Sequence, residues 1–305
     1  MKLVCFTLGA DDTLRPGALL GSGDLILDFA ASAADVPRSR SMLDWCDLAG
    51  RSLPAAKALA ARVSGDAALR AGLERAGAIV KRSAAKLLAP IPRPGKVICI
   101  GLNYRDHAKE SGMAIPSRPL VFSKFSSCVV GPGATVVRPI GCTQLDYEAE
   151  LGFVVGRRAT RVKAADAMEH VLGYVNINDV SARDFQFADG QWQRGKSSDT
   201  FCPMGEYIAT TDEIADPHQL RIRLRLNGQT MQDSNTEQLI FGIPQLIEAL
   251  TEFVTLEPGD VVATGTPFGV GFARKPPVYV QPGDVMEVEI DGLGVLRNPV
   301  ADALS

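Results

Sequence analysis

The stretch DYEAELGFVVG, residues 146–156, alternates acidic and apolar side chains in the way that is typical of a β-strand. Glu148 and Glu150 lie two residues apart, so both project from one face of such a strand. The opposite face is apolar and carries Tyr147, Ala149, Leu151, Phe153 and Val155. A half-exposed strand with a solvated acidic face is the ordinary explanation. Here the acidic face continues with Gly152 and Val154, however, and a glycine permits close approach of a ligand or of another segment.

A third carboxylate follows a second apolar strand. In GYVNINDVSARDFQ, residues 173–186, Asp179 stands at the end of the apolar run. Two glutamates from one strand and an aspartate from another would form a site of oxygen ligands only, which suits Mg²⁺ or Mn²⁺. Zinc does not suit it, because no histidine or cysteine stands at ligand spacing. The alternative role for Asp179 is to cap a turn.

Polar residues flank these acids along the chain. Arg183, Gln186 and Lys196 follow Asp179 and carry hydrogen-bond donors. Further on, the loop TGTPFGVG, residues 264–271, offers amides and hydroxyls that could hold a substrate carboxylate. The alternative explanation of this loop is a glycine-rich turn.

One histidine has a carboxylate beside it on a predicted helix. His107 and Glu110 lie three residues apart in RDHAKE, so they share a helical face. A histidine positioned by a carboxylate can act as a general base near neutral pH. The alternative is a surface histidine, and His170 and His218 are predicted to be structural.

The stretch GQWQRGKS, residues 190–197, satisfies the P-loop pattern for nucleotide binding. A P-loop requires a buried strand before it and a helix after it. The preceding FQFADG is half polar, and Pro203 follows too soon for a helix. We therefore expect no nucleotide here and assign Lys196 to another role.

Composition excludes several classes of function. The chain has 305 residues and a net charge of −3, which leaves no basic surface for nucleic acid or for a membrane. No apolar run approaches the roughly 20 residues of a membrane span. The N-terminus becomes polar too soon for a signal peptide, and the six cysteines show no CxxC spacing. These features predict a cytoplasmic protein with reduced thiols.

The chain is predicted to divide at the proline-rich connector LLAPIPRPGK, residues 87–96. Residues 1–92 form a small domain of short strands and Ala/Leu-rich helices, with Asp66 as a helix N-cap. Residues 93–305 are rich in strands, with hairpin turns at Asn227-Gly228 and at Asp291-Gly292. A helix is predicted within 242–259, ended by Pro258-Gly259, and a further helix over AADAMEHVLGY.

Six segments, in this order, resemble the fumarylacetoacetate hydrolase family: GLNYRDHAKE, DYEAELGFVVG, GYVNINDVSARDFQ, RGKSSDTFCPMG, LNGQTMQDSNT and VVATGTPFGVG. The resemblance runs from about residue 93 to the end of the sequence. It implies an α+β, β-rich fold, in which a catalytic domain of rolled mixed β-sheet follows a smaller N-terminal α+β domain. It also implies a homodimer and a bound Mg²⁺ or Mn²⁺.

The same resemblance implies roles for nine residues. Three would be metal ligands: Glu148, Glu150 and Asp179. Three would be catalytic: His107 and Glu110 on a mobile lid helix, and Lys196. Three would contact the substrate: Arg183, Gln186 and Thr266. The prototype of the family has a fourth metal carboxylate without a convincing counterpart here, so we expect three protein ligands.

The expected reaction is the hydrolysis of a C–C bond in a 2,4-dioxo acid, of the acylpyruvate or diketo-sugar type, to release pyruvate or a related 2-oxo acid. His107 would take a proton from water, and Lys196 and Gln186 would stabilise the oxyanion. The features are similar to the branch that contains acylpyruvate hydrolases and oxaloacetate decarboxylases. A lyase or decarboxylase, an isomerase or dehydratase, and a metal-binding domain without activity stay open as alternatives.

Overall fold

The chain folds around one large mixed sheet that a second sheet covers. The computed structural model describes residues 1–32, 41–188 and 190–304. The strands of the described residues are β1 Lys2–Leu8, β2 Asp11–Leu20, β3 Leu25–Asp28, β4 Ile79–Lys81, β5 Ala85–Leu88, β6 Val97–Gly101, β7 Leu120–Lys124, β8 Val129–Val130, β9 Val136–Arg138, β10 Leu145–Asp146, β11 Ala149–Val155, β12 Val171–Asn178, β13 Ser181–Ala182, β14 Cys202–Pro203, β15 Ile208–Thr210, β16 Arg221–Leu226, β17 Gln229–Asn235, β18 Val261–Ala263, β19 Val285–Ile290 and β20 Gly294–Asp302.

Helices are few and mostly short. The α-helices are α1 Leu43–Cys46, α2 Ser52–Gly65, α3 Ala67–Arg75, α4 Arg105–Glu110, α5 Arg183–Ala188, α6 Gln193–Lys196 and α7 Ile243–Thr251. Single turns of 3₁₀ helix occur at Arg82–Ala84, Ser126–Cys128, Thr211–Glu213, Thr236–Gln238 and Gly271–Ala273, and a longer one at Ala164–His170. This strand-rich, mixed architecture confirms the predicted fold class.

The large sheet has the strand order β4-β3-β2-β1-β15-β12-β11-β18-β6-β7, with β5 paired to β1. The β18–β6 pair is parallel, and the other neighbours are antiparallel. β1 pairs with β15, so the sheet continues across the predicted boundary between residues 92 and 93. The division into two domains stays a prediction.

The second sheet has the order β17-β16-β19-β20-β9 and contacts β11 and β12 of the large sheet. Both predicted hairpins are present in it. The β16–β17 turn places Asn227 and Gly228 at φ values of 53° and 80°, and a two-residue hairpin turn requires such positive values. β19 and β20 are joined by the turn that contains Asp291 and Gly292.

β11 and β12 are central strands, and all of their residues are buried. The explanation of Glu150 as part of a solvated acidic face is therefore wrong. β18 and β12 flank β11 within the sheet, while the second sheet packs against it. The acids of this strand consequently lie inside the protein.

Two predicted helices differ from the structure. α7 ends at Thr251, well before Pro258; the Thr251 carbonyl oxygen accepts from the Arg161 amide at 2.9 Å, and Leu256 forms an antiparallel bridge with Ala159. The segment predicted as a helix over AADAMEHVLGY is a 3₁₀ helix followed by β12. The predicted cap of α3 is confirmed, since the Asp66 carboxylate accepts a hydrogen bond from the Leu69 amide at 2.9 Å.

All six cysteines are buried free thiols, as the spacing predicted. Among the described residues, no helix is both long enough and apolar enough to cross a membrane.

Candidate active site

The three predicted metal carboxylates meet at the ends of β11 and β12. Glu148 stands just before β11, Glu150 is its second residue, and Asp179 directly follows β12. One oxygen atom from each carboxylate lies within 4.8 Å of the other two. The strand pairing fixes this arrangement, because the Asp179 amide donates to the Glu148 carbonyl oxygen at 2.9 Å.

Two of the predicted cationic residues contact these acids directly. Lys196, the last residue of α6, donates from Nζ to Glu148 Oε2 at 2.7 Å and to Asp179 Oδ2 at 2.8 Å. Arg183, the first residue of α5, donates from Nη2 to Glu148 Oε1 at 2.5 Å. The motif GQWQRGKS thus forms no strand–loop–helix, and its lysine serves the acidic cluster.

A second buried lysine at the cluster has no counterpart among the predicted residues. Lys124, at the end of β7, donates to Asp179 Oδ1 at 2.5 Å and to the Val180 carbonyl oxygen at 3.0 Å. Both members of the Lys124–Asp179 pair are fully buried. In the sequence this lysine is only the polar end of a strand, LVFSK, without a motif around it.

Asp146 is a second residue that the sequence analysis did not single out. Its buried carboxylate accepts from Arg183 Nε at 2.9 Å and from the Tyr147 amide at 2.8 Å. It also accepts from the amides of Gly271 at 2.7 Å and Phe272 at 3.1 Å. Asp146 therefore joins the segment just before β11 to Arg183 and to the loop after β18. The two-residue spacing that marked Glu148 and Glu150 extends back to Asp146 and was the available signal.

The two glutamates have opposite electrostatic surroundings. Burial raises the pKa of Glu148, but Lys196 and Arg183 outweigh it and bring that pKa down to about 2. Burial raises the pKa of Glu150 well above its usual value, and the charges of Asp179 and Glu148 raise it further. Glu150 accepts a hydrogen bond from the Gly265 amide at 2.8 Å and has no cationic contact among the described residues.

These residues fit a hard divalent cation. Three buried carboxylates offer oxygen ligands only, which suits Mg²⁺ or Mn²⁺ better than a metal that prefers sulfur or nitrogen. The side-chain cations form ion pairs with Glu148 and Asp179, and at Glu150 the charge of Lys196 offsets only part of the effect of burial. A bound cation would supply the rest of the compensating charge.

α4 carries the predicted general base. His107 is buried, and its Nδ1 lies 3.3 Å from Glu110 Oε2. The two carboxylate oxygens of Glu110 accept from the Gly269 amide at 3.0 and 3.1 Å. The Ser234 hydroxyl donates to Asp106 Oδ2 at 2.5 Å, which ties the first turn of the same helix to β17. The Glu110 carboxylate therefore orients the His107 imidazole, and the Gly269 amide in turn fixes that carboxylate.

The predicted substrate contacts also reach this region. Gln186 accepts from Arg183 Nη1 at 3.0 Å through its carbonyl oxygen, which leaves its NH₂ group as a donor. Thr266 follows β18, and its hydroxyl accepts from Gln232 Nε2 at 2.9 Å. Arg183 stacks on Phe272, with 4.4 Å between the guanidinium carbon and the ring centroid.

These groups open on one cavity of about 150 Å³. Its polar lining comprises His107, Ser111, Glu148, Glu150, Arg183, Gln186, Lys196 and Thr266. Apolar side chains form much of the remaining wall, among them Met113, Leu120, Phe122, Phe187, Trp192 and Phe272. The volume is below the roughly 300–1,000 Å³ of pockets for drug-sized ligands, which indicates a compact ligand. Glu110 lies behind His107 and does not line the cavity.

A buried cluster of three carboxylates with a lysine, beside a histidine that a glutamate orients, is typical of metal-dependent enzyme sites. The sequence profile described as the C-terminal domain of fumarylacetoacetate hydrolase matches residues 96–301. The chain therefore belongs to the fumarylacetoacetate hydrolase family, as its motifs predicted.

The relatives include tautomerases, isomerases and a hydrolase. The chain is 43% identical over 302 residues to a mitochondrial oxaloacetate tautomerase of Xenopus laevis, covering 98% of this chain and 90% of the relative. It is 48% identical over 224 residues to a human mitochondrial oxaloacetate tautomerase, covering 73% and 71%.

Among solved structures, a fumarylacetoacetate hydrolase from Exiguobacterium antarcticum matches with a TM-score of 0.80 and 35% identity, over 99% of this chain and 100% of that one. A 5-carboxymethyl-2-hydroxymuconate delta-isomerase from Mycobacterium smegmatis matches with a TM-score of 0.76 and 32% identity, over the full length of both chains.

Proposed function

We propose that this protein is a divalent-metal-dependent enzyme that transfers a proton at carbon 3 of a compact 2-oxo acid, and that it interconverts the keto and enol forms of oxaloacetate. The observation that carries the proposal is that His107, which Glu110 orients from behind, lines the same small cavity as Glu148, Glu150 and Lys196. The tautomerases of similar sequence support the choice of substrate.

Glu148, Glu150 and Asp179 would hold Mg²⁺ or Mn²⁺. When bound, the metal supplies Lewis acidity that makes the protons next to the 2-oxo group more acidic. Lys196 and the NH₂ group of Gln186 are the donors that face the developing negative charge on the substrate oxygen. Arg183 keeps Glu148 in place through its charged hydrogen bond.

His107 is the proton carrier. In its neutral form it removes a proton from carbon 3 and returns one at the oxygen, or does the reverse, so the reaction neither gains nor loses atoms. Glu110 fixes the ring by accepting at Nδ1, which leaves Nε2 for the substrate.

Hydrolysis of a C–C bond in a 2,4-dioxo acid, the reaction expected from the sequence, is the second candidate. It would use His107 to take a proton from water instead of from carbon. The hydrolase of similar fold and the apolar wall of the cavity, which suits an acyl group, favour it. Oxaloacetate decarboxylation would need no attacking water.

Two wider expectations also stay proposals. A homodimer is supported by β7, which lies at the edge of the large sheet beside the exposed side chains of Phe125 and Phe253. Sedimentation velocity would test it. A cytoplasmic location stays a prediction from the sequence, while the named tautomerases are mitochondrial proteins.

The test is to follow the loss of the enol absorbance of oxaloacetate with Mg²⁺, Mn²⁺ or EDTA, and in parallel the release of pyruvate from oxaloacetate and acetylpyruvate. We expect metal-dependent ketonisation without pyruvate. Cleavage of acetylpyruvate would establish the hydrolase, and pyruvate from oxaloacetate alone would establish the decarboxylase.

His107→Ala should lower the rate of ketonisation about 100-fold or more, since positioned general bases contribute about 10²–10⁴-fold. Its thermal stabilisation by Mn²⁺ should persist. His170→Ala, which alters a half-buried histidine outside the cavity, is the matched control and should retain full activity. Equal activity of both variants would exclude His107 as the base. Under the decarboxylase alternative, His107→Ala could spare the release of pyruvate from oxaloacetate.

A further inference from the structure

Trp192 is the largest side chain in the lining of the cavity, and the proposed function gives it no role. It stands directly before α6, where its carbonyl oxygen accepts from the amides of Gly195 and Lys196 at 3.0 Å each. The backbone of Trp192 is therefore fixed by the same short helix that ends at Lys196. Its side chain is half-buried and forms part of the cavity wall.

The indole ring packs on Phe122, which in turn contacts Lys196. The ring centroids of Trp192 and Phe122 are 5.3 Å apart at an interplanar angle of 70°, which is an edge-to-face contact. Lys196 Nζ lies 5.1 Å from the centroid of Phe122. An apolar wall thus runs from the lysine at the carboxylate cluster through Phe122 to the indole of Trp192.

Gly101, at the end of β6, leaves the space that the indole occupies. A Cβ atom at this position would lie 2.8 Å from Trp192 Cζ3 and 3.0 Å from Leu120 Cδ2, so a side chain there would collide with the ring. The φ angle of Gly101 is not positive, so its backbone does not require a glycine. The close approach of the ring explains the glycine instead. The indole is therefore seated against a strand and cannot move away from the cavity on that side.

The cavity is small, and its polar groups lie together at one end of this wall. Glu148, Glu150 and Lys196 belong to the cluster that would receive the 2-oxo acid head, and the whole cavity has a volume of about 150 Å³. A substrate chain that extends from the head group along the apolar wall consequently meets the indole of Trp192.

We infer that Trp192 sets the upper limit on the length of the 2-oxo acids that this site accepts, because it closes the cavity at the end of the wall that it forms with Phe122. The inference rests on the proposed function and adds a specificity-determining residue to it. One extra methylene in an apolar pocket changes the discrimination between substrates by about 10–200-fold. A smaller side chain at position 192 would admit the longer chain that the indole excludes.

Straight-chain 2-oxo acids of increasing length test this limit: 2-oxobutanoate, 2-oxohexanoate and 2-oxooctanoate. The test measures their dissociation constants from the Mg²⁺-loaded protein by calorimetry, and the exchange of their carbon 3 protons for deuterium by NMR. The proteins are the wild type, Trp192→Ala, Trp192→Phe and Ile140→Ala. Ile140 has an exposed side chain outside the cavity and is the apolar control.

We expect the wild type to bind 2-oxohexanoate about tenfold or more weakly than 2-oxobutanoate. Trp192→Ala should bind the two acids equally or prefer the longer one, and should keep the wild-type affinity for 2-oxobutanoate. Trp192→Phe, which retains a smaller ring, should fall between these two proteins, and Ile140→Ala should match the wild type.

The melting temperature tests the seating of the ring without any ligand. Gly101→Ala should lower the melting temperature of the wild type more than that of Trp192→Ala, because the clash of the new methyl group with the indole is then absent. Equal shifts in both backgrounds would show that the indole does not rest on Gly101 and would overturn the inference.

Equal affinity of the wild type for all three acids would also overturn it, since the chain would then leave through the mouth of the cavity. Equal loss of all three acids in Trp192→Ala would do the same, since the residue would then only support α6. If the wild type exchanges none of the acids, but Trp192→Ala removes a length limit on their binding, the proposed function fails and the role of Trp192 stands. A wild type that binds none of them would contradict both.

Discussion

Glu148 and Glu150 occupy the same face of one strand and yet differ in what balances their charge. Glu148 has a lysine and an arginine within hydrogen-bond distance, and these hold its pKa near 2. Glu150 has only a backbone amide, and burial beside two other acids raises its pKa. Burial therefore disfavours the charged form of Glu150 in the metal-free protein, and a bound divalent cation would favour that form.

Glu150→Gln tests this distinction. Glutamine has the same shape and keeps an acceptor for the Gly265 amide, so the metal-free variant should melt within a few degrees of the wild type. Mn²⁺ at a hundredfold excess over its Kd would stabilise the wild type by about 2.7 kcal/mol. The variant should lose most of this gain in a thermal-shift titration.

Glu252→Gln, which changes an exposed glutamate, should keep the full stabilisation by Mn²⁺. A metal-dependent shift of the same size in Glu150→Gln would show that Glu150 is not a ligand.

At this scale, sequence analysis succeeds where the signal is local. The two-residue spacing within residues 146–156 and the three-residue spacing of His107 and Glu110 each identified groups that the structure brings together. The sequence analysis did not identify Lys124, because its partner Asp179 is distant in the sequence and only the folded chain brings the two into contact.

Among the elements, the loop after β18 organises the site through its backbone. Its amides donate to three carboxylates from three different elements: Gly265 to Glu150, Gly269 to Glu110 and Gly271 to Asp146. A Cβ atom at Gly271 would lie 2.1 Å from the Val278 carbonyl oxygen, so this position has no room for a side chain. The sequence predicted a glycine-rich loop here, but it did not reveal which acids the loop would hold.

Asp146→Asn should damage this element. The substitution removes the negative charge that faces Arg183 and places an amide against donors, and breaking one side of a buried ion pair costs about 3–5 kcal/mol. We expect the free energy of unfolding in urea to fall by about 3 kcal/mol.

Asp302→Asn removes an acid that pairs with Arg138 on the surface and should cost about 1 kcal/mol or less. Equal free energies of unfolding for the two variants would show that the contacts of Asp146 with Arg183 and the loop do not stabilise the protein.

The end of α7 shows why element boundaries are harder to predict than elements. The periodicity of residues 242–259 correctly predicted a helix, but Leu256 pairs with Ala159, which is far away in the sequence. Strand β11 was also predicted correctly, and so was β12 from Val175 onward, whereas the burial of both strands on both faces depends on neighbours that only the complete sheet supplies.

In the whole molecule, β1 joins the first residues to the sheet that bears the carboxylate cluster. Leu3, Val4 and Phe6 of this strand are fully buried, and Met1 donates from its amino group to Thr210 Oγ1 at 2.7 Å. In the strand order, β15 and β12 separate β1 from β11. The proposed boundary after residue 92 therefore separates two parts that share one sheet.

A fragment of residues 93–305 should fold poorly. It would expose the edge of β15 and the apolar surface that β1 covers, where each buried Leu, Val or Phe side chain contributes about 1.5–3 kcal/mol. We expect aggregation on expression, or a melting temperature lower by about 10 °C or more, measured by calorimetry against the full chain. A soluble fragment with undiminished thermal stability and metal binding would establish residues 93–305 as an independent domain.

The antiparallel pairing of β1 with β15 also limits how this architecture could be recombined. A leading segment of different sequence could replace residues 1–92 only if it brought its own antiparallel strand, with an apolar face, to the free side of β15. Protein engineers who exchange such leading segments between enzymes would have to match a strand register as well as choose a cut site. The sequence of residues 1–92 could therefore vary widely, except along β1, whose pairing with β15 any replacement would have to reproduce.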